Sequence, residues 1–376
     1  MKIGIVCPYD ITKGGGVQDI VKAQQYELTR RGHEVYIITP RPPGNVDAAQ
    51  DHTLFVGSAT DLRSLSSTTV QVSAGLGDDI ETMLEEQNFD VLHFHEPWIP
   101  MLSMQILSRS KAVNVATFHA KLPETVMIRT MARVITPYTK SVLKYIDAFT
   151  ASSEAGAEYV CSLTDEPVAI TPPGIDLARF KPPKSFNDSR KAKTIFYIGR
   201  LEGRKGVKYL LHAFRALHER HPDLSLVIGG DGVDRAKLEM LADALELKNV
   251  TFLGYVSDAD KQKYLHSADL FCSPALFGES FGVVLLEAMA TGLVTVAGDN
   301  PGYAAVMQGL GAISLVNPKH VAEFARRMEL LLYEKDLRTL WRTWALKEVQ
   351  QYGYESIVAQ YEEVYKQALA AARRNA

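Results

Sequence analysis

The chain predicts an α/β protein of two domains with parallel sheets, and three observations carry that expectation. Short β-branched runs alternate with longer amphipathic stretches, the pattern restarts near the middle, and a proline-rich seam marks the restart. A length of 376 residues suits two domains of about 150 residues or slightly more. Hydrophobic residues at 46% and charged residues at 23% are those of a globular chain. They exclude disordered, collagen-like and disulfide-stapled classes.

In the first half, strands are expected at Ile3–Cys7, Val35–Thr39, Val91–Phe94 and Val113–Phe118. Helix Val17–Arg31 repeats Val17, Ile20, Val21 and Leu28 at helical spacing, and Gly32 stops it. In the second half, strands are expected at Thr194–Ile198, Leu224–Ile228, Val250–Leu253, Leu270–Cys272 and Val294–Ala297, with helices Val207–Glu219 and Arg235–Leu245 between them. The seam runs from Thr171-Pro172-Pro173-Gly174 to Phe180-Lys181-Pro182-Pro183, where four prolines break any helix or central strand. The domains are therefore drawn as 1–172 and 173–353, and a last helix covers Tyr354–Ala371.

Cys7, Cys161 and Cys272 lie far apart with no C-x-x-C pair, which predicts three reduced, buried thiols. Met1–Pro8 reads as a strand, not a signal peptide, and no apolar window reaches 18 residues. A cytoplasmic protein is expected. Lys plus Arg is 41 and Asp plus Glu is 44, so no general nucleic-acid binder is indicated.

Three loops could carry chemistry. Lys13-Gly14-Gly15-Gly16-Val17 joins the first strand to the first helix, where close backbone approach and a helix N-terminus suit an anion. It fits a tight turn equally well, and neither nucleotide fingerprint, G-x-G-x-x-G or G-x-x-x-x-G-K-[ST], is present. Gly199-Arg200-Leu201-Glu202-Gly203-Arg204-Lys205-Gly206 sets three cations at the C-terminal end of a parallel strand. Open α/β sheets bind ligands there, and a solvated loop is the alternative. Phe277–Ala288 carries Glu279 in a loop and Glu287 in an apolar helix, where a buried acid needs a partner. Both carboxylates suit vicinal hydroxyls. His93 and His95 fall on one face of a strand, as a metal pair or, more naturally, as hydrogen-bonding groups; His119 ends another strand.

These residues in this order resemble the retaining glycosyltransferases of family 4. The motifs are Gly15-Gly16-Val17, His95-Glu96-Pro97, Thr117-Phe118-His119, Pro173-Gly174-Ile175-Asp176, Gly199-Arg200 with Lys205-Gly206, and Glu279 to Glu287. The resemblance covers nearly the whole chain. It implies the GT-B architecture: two Rossmann-like domains facing across a cleft, with the helix of 354–376 crossing back to the first. It also implies a nucleotide-diphosphate sugar as donor and no metal or other cofactor. Catalytic roles fall to His119, Arg200, Lys205 and Glu279. Donor contacts fall to Gly15, Gly16, Arg200, Lys205, Glu279, Phe281, Gly282 and Glu287. Cys7-Pro8-Tyr9, Gln18, Val256, Asp258 and Lys261 are similar to members that move mannose from GDP-mannose to an inositol phospholipid. That similarity gives Val256, Asp258 and Lys261 to the base, and Tyr9, Gln18 and Arg204 to the acceptor. Other nucleotide sugars such as UDP-glucose, a soluble or diacylglycerol acceptor, and nucleotide-sugar epimerisation are the alternatives.

One departure stands out. Those members dock on membranes by a basic helix, whereas Gly77–Asp90 here carries six acids and no Lys or Arg. A different segment, 109–144, holds Arg109, Lys111, Lys121, Arg129, Arg133, Lys140 and Lys144 against the single acid Glu124. It reads either as an interfacial helix on anionic lipid or as a basic helix packed on its domain.

Overall fold

A computed structural model describes residues 1–42, 52–62, 70–74, 77–99, 101–119, 136–186 and 190–375. The chain divides into two compact units, Met1–Gly174 with Tyr354–Ala376, and Ile175–Gly353.

The first unit runs β1 (Lys2–Val6), α1 (Gly16–Arg30), β2 (Glu34–Arg41), β3 (Thr53–Leu62), β4 (Val70–Ala74), α2 (Gly77–Gln87), β5 (Val91–His95), α3 (Leu102–Leu107) and β6 (Val113–Phe118). A helix α4, described over 136–143, then leads to β7 (Ala148–Ala151), α5 (Glu154–Cys161) and β8 (Val168–Ile170). The sheet order is β4-β3-β2-β1-β5-β6-β7-β8, parallel except for β4, which pairs antiparallel with β3. The central strands are buried on both faces, as parallel strands covered by helices must be.

The second unit runs β9 (Thr194–Ile198), a 3₁₀ turn Gly203–Lys205, α6 (Val207–His218), β10 (Ser225–Gly229), α7 (Arg235–Ala244), β11 (Val250–Gly254), α8 (Asp258–Ser267) and β12 (Leu270–Ser273). It continues through α9 (Val283–Ala290), β13 (Thr295–Gly298), α10 (Pro301–Val306), β14 (Leu315–Val316), α11 (Val321–Tyr333) and α12 (Lys335–Glu348). Its sheet, β11-β10-β9-β12-β13-β14, is parallel throughout. Helix α6 turns Leu210, Leu211, Phe214 and Leu217 inward, a stripe that fixes its face against the sheet.

Helix α13 (Tyr354–Asn375) belongs to the first unit, where Ile357, Val358, Tyr361, Tyr365 and Ala368 pack among Ile3, Ile5, Val91 and Val115. The expected elements are present, with Val113–Phe118 and Thr194–Ile198 matched end to end and no end elsewhere shifted by more than four residues. The expectation of three buried thiols is corrected: Cys7 and Cys272 are buried, but Cys161 is exposed. It lies at the end of α5, whose buried positions are Ala155, Gly156, Ala157 and Val160, so its side chain falls on the outer face. Among the described residues, no helix is long and apolar enough to cross a membrane.

Candidate active site

In the second unit, the loops after β9 and β12 meet through an ionic cluster. Lys205 Nζ and Arg204 Nη1 each lie 2.7 Å from Glu279 Oε1. Arg204 Nε donates to Glu202 Oε2 at 3.1 Å, and Arg200 Nη1 stands 3.2 Å from Glu202 Oε1. Three cations thus share two carboxylates, a net positive patch at the C-terminal edge of the sheet. The backbone holds it rigidly. Gly206, which opens α6, has φ +72°, and a Cβ there would meet the Pro274 carbonyl at 2.0 Å. A Cβ on Gly302 would meet the Glu279 carbonyl at 2.1 Å. Both positions therefore demand glycine.

Glu287 lies on α9, whose residues Leu285–Ala290 are all buried. Its Oε1 accepts from Lys261 Nζ at 2.7 Å, while Oε2 is buried without a hydrogen-bond partner. Burial raises its pKa and Lys261 opposes the rise. A carboxylate with one oxygen held and the other unsatisfied has capacity for a hydroxyl donor. Lys261 also stands 3.4 Å from Asp258 Oδ1, so Asp258 and Lys261, expected at the base, and Glu287, expected at the donor, form a single chain. Val256 is placed beside β10: a Cβ on Gly229 would meet it at 2.9 Å. Gly282, at φ +117°, caps α9, and Phe281 is buried against Tyr352.

The first unit gathers three histidines at the C-terminal ends of β5 and β6. His95 Nδ1 and His119 Nε2 are 2.8 Å apart, and His95 Nε2 lies 2.8 Å from Gln24 Oε1. His93 bonds Thr117 Oγ1 through Nε2 and the Tyr365 hydroxyl through Nδ1. Burial pushes His93 down to about 3 and His119 down to about 4, and holds His95 well below the ordinary imidazole value. All three are neutral near pH 7. Glu96, buried at φ +50°, accepts from the His119 backbone N–H at 2.9 Å and from the Trp98 indole N–H. Among the described residues, no three His, Cys, Asp or Glu side chains form a group that could hold a metal ion.

Gly15 caps α1, and a Cβ there would strike the Gln18 carboxamide at 2.3 Å, whereas Gly14 and Gly16 have open space beside them. Tyr9 is half-buried, and burial pushes its phenol up. Sequence reasoning did not single out Asp10 or Gln24. Asp10 Oδ1 accepts from Thr12 N and Oγ1, which shapes the turn before the glycines. The Asx spacing of Asp10 and Thr12 was legible; Gln24 on a helix carried no signal. Of the basic segment, 120–135 lies outside the described residues. Its leading cations stand beside the acidic helix: Lys111 Nζ is 3.7 Å from Glu85 Oε1, and a Cβ on Gly77 would meet the Arg109 guanidinium at 2.8 Å.

The fold has close relatives among solved glycosyltransferases. Sucrose-phosphate synthase from Thermosynechococcus elongatus superposes with a TM-score of 0.79 at 19% identity, covering 98% of this chain and 99% of that one. HepE from Anabaena, solved with UDP-glucose, gives 0.74 at 18% identity over 98% and 100%. Two parallel α/β units of this kind define the GT-B fold. The Glycosyltransferase Family 4 model matches residues 14–179, and the Glycosyl transferases group 1 model matches 179–347. Phosphatidyl-myo-inositol mannosyltransferase from Mycolicibacterium smegmatis is 31% identical over 369 residues, 97% of this chain and 94% of its own. D-inositol 3-phosphate glycosyltransferase from Corynebacterium urealyticum is 32% identical over 217 residues, 53% and 51% respectively. The chain belongs to glycosyltransferase family 4 and is a glycosyltransferase.

Proposed function

We propose that the enzyme transfers mannose from GDP-mannose, with retention of configuration, to the inositol ring of phosphatidylinositol. The observation that carries this reading is the end-to-end similarity to a phosphatidyl-myo-inositol mannosyltransferase. The chemistry of the second unit fits it. Arg200 and Lys205 neutralise the diphosphate as it leaves, an electrostatic task that preorganised cations perform at little reorganisation cost. The α9 N-terminus at Phe281 and Gly282 adds backbone N–H groups. Glu287 Oε2 takes a ribose hydroxyl, Glu279 a hydroxyl of the donor sugar, and Val256, Asp258 and Lys261 read the base. Arg204, assigned to the acceptor, is tied to Glu279 and Glu202 in this structure and exchanges those partners when it acts. In the first unit, Gly15 and Gly16 offer backbone to an anion, His119 faces a sugar hydroxyl, and Tyr9 and Gln18 serve the acceptor. No metal or other cofactor takes part in this reading.

A lipid acceptor places the enzyme at the cytoplasmic face of a membrane, with cations of 109–144 toward anionic headgroups. A second reading, with free inositol phosphate as acceptor, is favoured by the kinship to D-inositol 3-phosphate glycosyltransferase and by the acidic α2. Thermal shift with GDP, UDP and ADP ranks the donors, because a nucleotide that binds only the folded state raises stability by mass action. Transfer assays with phosphatidylinositol vesicles and with inositol phosphate then separate the acceptors. GDP stabilisation and mannosylated lipid are expected; stabilisation by UDP alone overturns the donor, and a mannosylated free inositol phosphate overturns the lipid. Co-sedimentation with anionic vesicles at low salt tests the membrane contact, and protein left in the supernatant refutes it.

A further inference from the structure

The geometry points to a two-residue relay, Gln24 and His95, that fixes the tautomer of His119 so that Nε2 carries the proton and Nδ1 is left as acceptor. Neutral imidazole has one donor nitrogen and one acceptor nitrogen, and buried ones must satisfy both. His95 is fully buried and meets Gln24 Oε1 on Nε2 and His119 Nε2 on Nδ1. The Gln24 oxygen only accepts, so His95 Nε2 donates to it, and His95 Nδ1 holds a lone pair. His119 Nε2–H must then donate to His95 Nδ1. The Gln24 amide nitrogen on the other end of this contact is buried with no hydrogen-bond partner.

A parallel line beside it shows how such direction is imposed. The Thr150 hydroxyl donates to the Ala116 carbonyl, which only accepts. Thr117 therefore donates to Thr150 Oγ1, His93 Nε2–H donates to Thr117, and the Tyr365 hydroxyl donates to His93 Nδ1. His93 and His95, with ring centroids 4.4 Å apart, are thus both Nε2–H, each pinned by its own line of partners.

His119 is also held at its backbone, where N–H donates to Glu96 Oε1. Consecutive residues His95 and Glu96 clamp ring and main chain together, and the left-handed backbone of Glu96 is the strained turn that permits it. Gln24 brings in α1, the helix that opens at the Gly15–Gly16 loop. Gln24 and His95 are positioning residues. Their consequence for transfer rests on the reading of His119 as a residue facing the donor sugar: an Nδ1 acceptor takes a hydroxyl and refuses an unprotonated phosphate oxygen.

Long-range ¹H–¹⁵N correlation on protein labelled with ¹⁵N-histidine reads the tautomers directly at pH 7. Wild type is expected to show both His95 and His119 as Nε2–H. Gln24→Leu removes the acceptor and shifts both rings toward Nδ1–H, while Gln24→Glu keeps an acceptor and the wild-type pattern. Transfer by Gln24→Leu is expected to lose at least about tenfold in kcat at unchanged donor KM, since a catalytic imidazole in the wrong tautomer loses more than that elsewhere. Nδ1–H rings in wild type, or unchanged tautomers in Gln24→Leu, overturn the relay. The wild-type spectrum stands even where a variant fails to fold. Tautomers that move while turnover does not support the relay and remove His119 from the reaction.

Discussion

The two units present opposite chemistry at equivalent places. At the C-terminal ends of the second sheet stand formal charges: Arg200, Arg204 and Lys205 against Glu202 and Glu279, with Lys261 on Glu287. At the C-terminal ends of the first stand three imidazoles stripped of charge by burial. Exposure and ion pairing together decide the difference. Arg200 keeps 47% of its side-chain surface in water, whereas His93 and His95 keep none. A charge left near solvent can meet a charged leaving group, and a buried neutral ring can only donate or accept. The same fold thus supplies an electrostatic half and a hydrogen-bonding half.

The largest effect expected from breaking that contrast is at Lys205. Lys205→Ala should cut transfer by roughly 10²–10³-fold, the scale of losing a preorganised electrostatic contact. Circular dichroism and Tm should stay near wild type, because Arg204 still satisfies Glu279. Wild-type turnover by that variant would remove Lys205 from leaving-group stabilisation. Glu287→Gln should weaken nucleotide binding by roughly 10–100-fold by calorimetry, the worth of a hydrogen bond to a charged group. Unchanged affinity would show that Oε2 does not receive the ribose.

Acid should act on the neutral half. The folded histidines bind protons only near 3 to 4, whereas in the unfolded chain they do so around 6.5. Between those values the unfolded state holds more protons, so stability is full above about pH 7 and is lost as pH falls from about 6.5 toward 4. Glu287 works in the opposite sense, since burial raises its carboxyl and folded-state protonation returns part of the loss. Tm is expected to drop by several degrees from pH 7 to pH 5; a flat profile would contradict neutral, buried rings. The smallest expected effect is at Cys161, where maleimide should label about one thiol per native chain with no change in Tm, buried cysteines being inert. Labelling of Cys7 or Cys272 would contradict their burial.

Much of the architecture was legible because parallel strands buried on both faces read as short runs rich in β-branched and aromatic residues, as in Val113–Phe118 and Thr194–Ile198. Strands β3, β4, β7, β8 and β14 were not. Ala148–Ala151 has no Val or Ile, Val168–Ile170 has three residues beside the proline seam, and Leu315–Val316 has two. Their strand character comes from neighbours, not from their own pattern. The charged site was legible because Arg, Lys and Glu cluster within short loops. The histidine network was legible only as alternation along β5. Its partners, Gln24 at |i−j| of 71 and Tyr365 at 272, come from other elements that the fold alone brings near.

In the proposed reaction the charged half receives GDP-mannose and releases GDP as mannose passes to a phosphatidylinositol hydroxyl. NMR of the product formed from ¹³C-mannose-labelled GDP-mannose and phosphatidylinositol vesicles tests it most directly. An α-mannosyl lipid formed in step with GDP is the expected result. A β-linked product, or mannose released without any glycolipid, would contradict it.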